Sequence, residues 1–125
     1  MKKLFQFILG VVLIMIICVG FYLSDGLSEG IAVSMEGIVP SEVPDGYYRG
    51  VYDFKRWSNT VEVQVRDQRI VGIVIVYDLF GAEITNCSAE IIQRVIETQD
   101  TRVDVVVGAT ITSKAYLKAI ENAFR

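Results

Sequence analysis

Near the C-terminus the chain reads Asp104-Val105-Val106-Val107-Gly108-Ala109-Thr110-Ile111-Thr112-Ser113, and a helix-periodic pattern follows at once. An apolar run delivers a Gly-Ala turn, two threonine hydroxyls and a helix start. The first N–H groups of a helix have no intrahelical partner and lie at the positive end of its dipole, which suits a phosphate. A threonine hydroxyl held there can contact a phosphate or carry one as an ester. Thr110 falls in the turn, with its hydroxyl free to point outward. Thr112 falls closer to the helix start, where a side-chain oxygen caps free N–H groups. An ordinary strand-turn-helix corner has the same residues, with Gly108 making the turn and Thr112 or Ser113 the cap. Lys114 is near enough to help neutralise a phosphate.

Other chemistries are closed to this chain. It contains no histidine, which removes Ser-His and Cys-His nucleophiles together with histidine-ligated metal and haem. Cys18 lies in an apolar run, so Cys87 has no partner for a disulfide within the domain, and no zinc-type cluster is present. The thiol of Cys87 reads as inert and partly buried. The net charge is −3, and Lys2 and Lys3 are the only charges before Ser24, so the remainder carries −5. That balance argues against nucleic acid. Redox work in such a chain requires an organic cofactor.

The elements that must position these groups are legible in the pattern. Tyr47 to Phe54 is aromatic-rich and partly alternating. Val61 to Arg66 alternates strictly, and Ile70 to Tyr77 reads as a more deeply buried strand after a turn at Asp67-Gln68-Arg69. Ser88 to Thr98 has a serine cap and an apolar stripe at helical spacing, and a second helix runs from about Ser113 to Phe124. Between them Thr101 to Val107 reads as a last strand. The order β-β-β-α-β-α gives an α+β domain, a small antiparallel sheet packed against two helices.

Residues 1–24 form no part of that domain. Two lysines precede Leu4 to Leu23, where Gln6 is the one strongly polar side chain. About 20 apolar residues in a helix reach about 30 Å, the thickness of a bilayer core. The lysines keep the N-terminus in the cytoplasm and place the rest outside. Cys18-Val19-Gly20 offers a competing reading as a signal-peptide cleavage site. The length of the apolar run and its bulky end at Phe21, Tyr22 and Leu23 favour a retained single-pass anchor. Residues 25–44, with turn punctuation at both ends, read as a tether, and 45–125 as the extracytoplasmic domain.

The 104–113 block resembles the motif Asp-x-x-Ser/Thr-Gly-Ala-Thr/Ser-x-Thr/Ser of the covalently flavinylated FMN-binding domains. These include the C subunit of the sodium-translocating NADH:quinone reductase and the G subunit of the Rnf complex. Asp104, Gly108, Ala109, Thr110 and Thr112 match in register, and Val107 departs where the family has Ser or Thr. Asp45-Gly46-Tyr47-Tyr48-x-Gly50 is similar to the family's first-strand opening. The resemblance implies FMN joined through its phosphate to Thr110, with Gly108, Ala109, Thr112, Ser113 and Asp104 about it. It implies a separate flavin transferase that uses FAD and Mg²⁺ and recognises Asp104, and electron donor and acceptor proteins in or outside the membrane. The implied role is an electron carrier more than an independent enzyme. Tyr47, Tyr48, Tyr52, Trp57 and Phe80 are candidates to lie against the flavin ring. The alternative is a non-redox adaptor module of a membrane complex that keeps the same fold.

Overall fold

The structure is a computed structural model that describes residues 1–79 and 86–125. Three antiparallel strands, β1 (Gly46–Tyr52), β2 (Asn59–Arg66) and β3 (Arg69–Asp78), form a meander with β2 in the centre. Helices α3 (Cys87–Thr98) and α4 (Thr110–Asn122) cover one face. The α+β architecture expected from the sequence is the one observed. Strict alternation in β2 sends Val61, Val63 and Val65 into the core. They meet Ile70 and Ile73 of β3, Ile91 and Val95 of α3, and Tyr116, Leu117 and Ile120 of α4.

Asp67 and Gln68 join β2 to β3, with Arg66 paired to Arg69. Both turn residues have positive φ, 53° and 65°, which is the backbone of a two-residue type I′ hairpin. Glycine suits its second position, whereas glutamine is strained there. Gln68→Gly is therefore expected to raise stability by about 0.5 kcal/mol, read as an upward shift of the thermal midpoint.

Two expectations are corrected. Residues 101–107 form no strand, so among the described residues the sheet has three strands. Side chains claim the groups that a ladder would have used. The Gln99 amide accepts the Ile70 N–H at 2.7 Å and donates to the Ile70 carbonyl at 3.0 Å, closing the β3 edge where a strand would add. Arg94 takes the Asp104 carbonyl at 2.6 Å, and Ser113 Oγ takes the Val106 N–H at 3.0 Å. Helix α3 also begins one residue before Ser88, behind a left-handed Asn86, without a side-chain cap.

Helix α1 (Lys2–Ser24) buries no residue against the rest of the chain and is long and apolar enough to cross a membrane. Asp25 and Gly26 break it, and a short helix α2 (Leu27–Ala32) follows. The segment expected as a tether lies along α4 for part of its length. Gly30 abuts Ile111, and Lys118 Nζ donates to the Ser34 carbonyl at 3.5 Å. Helix α4 is thus enclosed on more than its sheet face, and Glu121 is only 1% exposed.

Glu121 accepts the N–H groups of Glu36 (3.1 Å) and Gly37 (3.3 Å), the Thr101 hydroxyl (2.9 Å), Lys118 Nζ (3.0 Å) and Arg125 Nη2 (2.9 Å). Asp100 similarly accepts the Ile38 N–H at 3.3 Å. Burial alone would raise the Glu121 pKa. The bonds from Lys118, Thr101 and the Glu36 and Gly37 backbone outweigh it and hold the carboxyl below its usual range. A group with a depressed folded pKa stabilises the fold fully above its unfolded pKa, and that stability is lost as pH falls through the folded value. Thermal midpoints measured downward from pH 7 should therefore fall below about pH 4.3, the ordinary glutamate value. Glu121→Gln should start lower and show a shallower acid limb.

Candidate functional site

The motif forms a compact corner. The Ala109 N–H bonds to the Val106 carbonyl at 3.0 Å, closing a β-turn over Val107 and Gly108. Gly108 has φ +81° and Val107 is absent from the positive-φ residues, which is the pattern of a type II turn and demands glycine at its third place. Nothing lies within 4 Å of where a Gly108 side chain would begin, so the backbone is open to approach. Val107 at the tip is 99% exposed. It does not end a buried strand, and its methyl groups point into solvent.

Helix α4 starts three residues earlier than the sequence pattern places it, with Ala109 as N-cap and Thr110 as its first residue. Its first internal bond runs from the Ser113 N–H to the Ala109 carbonyl at 2.9 Å. The N–H groups of Thr110, Ile111 and Thr112 are left as the open donors of the helix end. Thr110 is partly exposed. Thr112 sits at the third helical position and does not cap, because no side chain makes a capping bond at this end. An N-cap oxygen must come from the residue before the helix, and here that residue is alanine.

Ser113 holds the corner together. Buried completely, its hydroxyl donates to the Ala109 carbonyl at 2.6 Å and accepts the Val106 N–H at 3.0 Å, spanning both ends of the turn. Cys87 Sγ lies 3.3 Å from the same oxygen. Since the hydroxyl proton is committed to Ala109, the thiol is the donor in this contact. Burial pushes the Cys87 thiol up, so it stays protonated.

Asp104 is exposed on the unpaired approach to the turn, where Arg94 holds its carbonyl. A cleft of about 470 Å³ beside it is lined by Arg94, Glu97, Thr98, Arg102, Val103 and Asp104. Lys114 is turned away from any phosphate, its ammonium bonded to the Ile31 carbonyl of α2. Tyr48 stacks on Phe124 at 5.9 Å, Tyr52 tilts on Phe54, and Trp57 is buried against Phe54 and Arg56. Tyr47 is exposed on the outer sheet face, and Phe80 lies outside the described residues. Residues that the sequence did not single out, Gln99 and Glu121, brace the elements on either side. Glu121 was signalled only by Lys118 and Arg125 at spacings of three and four.

A glycine-turned corner, a threonine hydroxyl and open helix donors stand together here, groups of the kind that suit a phosphate. The chain belongs to the FMN-binding domain family, whose model matches residues 58–125 from just before β2 to the end. No curated protein gives a significant match to it. An FMN-binding domain behind a helix able to cross a bilayer fits a membrane-anchored flavoprotein.

Proposed function

We propose that this protein is a membrane-tethered, extracytoplasmic electron carrier with FMN esterified to Thr110. The observation that carries the reading is the position of Thr110. It is the first residue of α4, directly after the open turn at Gly108 and beside unclaimed N–H groups. The open donors of Thr110, Ile111 and Thr112 suit the remaining phosphate oxygens, and Gly108 admits the phosphate close to the backbone. Ser113 and Ala109 keep the turn in shape. When bound, FMN supplies the redox chemistry. The chain itself binds, orients and shields it, and none of its side chains is needed as acid, base or nucleophile in turnover.

Attachment is a transfer from FAD by a separate Mg²⁺-dependent enzyme. The pyrophosphate bond of FAD breaks, the Thr110 Oγ–phosphorus bond forms, and AMP leaves with the hydroxyl proton. Asp104, exposed ahead of the turn, is available for that enzyme to recognise. Donor and acceptor are membrane or extracytoplasmic redox proteins. The test is the intact mass and in-gel flavin fluorescence of the chain produced with an active transferase, under denaturing conditions that strip reversible FMN. A gain of one FMN less one water, mapped to the Thr110 peptide, is expected. An unmodified mass, with the transferase active on a second substrate, would move the assignment to the adaptor reading. The exposed valine in place of a family hydroxyl is the feature that favours that reading.

A further inference from the structure

The end of α1 is not left open. Arg56, in the short 3-10 turn Lys55–Trp57, donates to the carbonyls of Tyr22 at 2.8 Å and Leu23 at 2.6 Å. These are among the last four carbonyls of the helix, which no intrahelical N–H can reach. A cation there also meets the negative end of the helix dipole. The guanidinium is held from both sides, 4.2 Å from the Trp57 ring centre and 5.7 Å from that of Tyr22. Next to it, Lys55 Nζ lies 2.5 Å from Asp25. Gly26, at φ +81°, turns the chain so tightly against the domain that a side chain there would meet Lys55 Cδ at 2.9 Å and Phe54 Cζ at 3.2 Å. Two residues separate α1 from α2, and both lie against this corner.

We propose that the corner formed by Lys55, Arg56 and the exposed Leu79 is the seat of the domain on the membrane surface, facing phospholipid headgroup phosphates. The seat rests on the reading of α1 as a membrane span. Twenty-three helical residues reach about 35 Å, so Tyr22 and Leu23 stand at the headgroup level. Phe21 and Tyr22 make an aromatic end to the span. A group bonded directly to the Tyr22 and Leu23 carbonyls shares that level, which places Arg56, and Lys55 beside it on Asp25, where cations meet lipid phosphate. A cleft of about 520 Å³, lined by Tyr22, Asp25, Lys55, Arg56 and Leu79, opens at the junction and is large enough for a headgroup. Leu79 is 56% exposed and adds an apolar contact at the same edge. Gly30, which abuts Ile111, follows the end of α1 by six residues, at most about 21 Å of chain. The seat thereby also keeps the first turn of α4 near the bilayer.

Trp57 is the only tryptophan in the chain and lies directly under Arg56, so the native protein carries its own probe. The full-length chain, prepared without flavin, is placed in phospholipid vesicles containing lipid spin-labelled either at the headgroup or at mid-chain. Flotation with the vesicles reads anchoring separately, and a chain that does not float overturns the span reading itself. In a chain that floats, stronger quenching of Trp57 by the headgroup label than by the mid-chain label is expected. Arg56→Ala should lose that quenching while its helical circular dichroism is kept. Should that variant not fold, Arg56→Lys serves, since a single ammonium does not reproduce the fork that spans two carbonyls. It should show partial loss. Absence of headgroup quenching in the floated native protein, or equal quenching in native and Arg56 variants, would overturn the seat.

Discussion

Thr110→Ala is expected to leave the transferase reaction at its unmodified mass and without in-gel fluorescence, whereas Thr112→Ala keeps its flavin. The two threonines are alike in type but differ in position. Thr110 is the first residue of α4, partly exposed beside the open turn. Thr112 lies two residues further into the helix. Neither makes a capping bond, so either alanine should change stability by no more than about 0.5 kcal/mol. Loss of label in Thr110→Ala therefore reports the lost nucleophile and not an unfolded domain, and a matching thermal midpoint checks this. Thr110→Ser, which keeps a hydroxyl, should retain label at reduced yield. Val107→Thr restores the family hydroxyl at a position that is fully exposed, where it is open to a partner and does not reach the core. Labelling that rises in Val107→Thr would assign the departure to enzyme recognition. A Thr110→Ala chain that remains labelled while Thr112→Ala does not would move the ester to Thr112.

Gly50→Ala is expected to be the most damaging single substitution in the domain. A methyl group at Gly50 would stand 1.8 Å from the Ala119 carbonyl oxygen and 2.7 Å from the Ala123 nitrogen. Both are backbone atoms of the C-terminal helical segment, so no rotamer change relieves the clash. Strand β1 must part from the helix, exposing Val61, Val63 and Ile120 to a gap. Overpacking relieved by side chains costs about 1–3 kcal/mol, and a backbone clash lies at or beyond the upper end. Denaturant unfolding should show a midpoint loss of that order with an unchanged slope. Because α4 carries Thr110, flavinylation should fall with the folded fraction. An alanine variant of native stability would mean that β1 and α4 do not pack this closely.

Much of this architecture could be read from residue order. The alternation of Val61, Val63 and Val65 alone settles which face of β2 is buried, because side chains in a strand alternate regardless of context. The apolar run from Leu4 to Leu23 was legible as a long apolar helix from its length and composition. The motif block likewise announced its glycine turn and the helix behind it, although Thr110, expected in the turn, is the first residue of that helix. The C-terminal segment misled because strand formation needs a partner edge. Val103, Val105 and Val107 alternate as a strand does, but Gln99 occupies the β3 edge with its amide, and sequence periodicity carries no information about that competitor.

The sequence by itself therefore determined an N-terminal helix long and apolar enough to cross a membrane, the fold class and the residue types of the corner around Thr110, all of which follow from local pattern and residue type. Only the tertiary structure decided that Ser113 is the buried staple of the turn, that Glu121 clasps residues 36 and 37, and that Arg56 closes the end of α1. Each of those roles joins groups 7 to 85 positions apart in the chain. Long-range hydrogen bonds depend on which surfaces meet after folding, and a buried polar group takes whatever partner that meeting supplies.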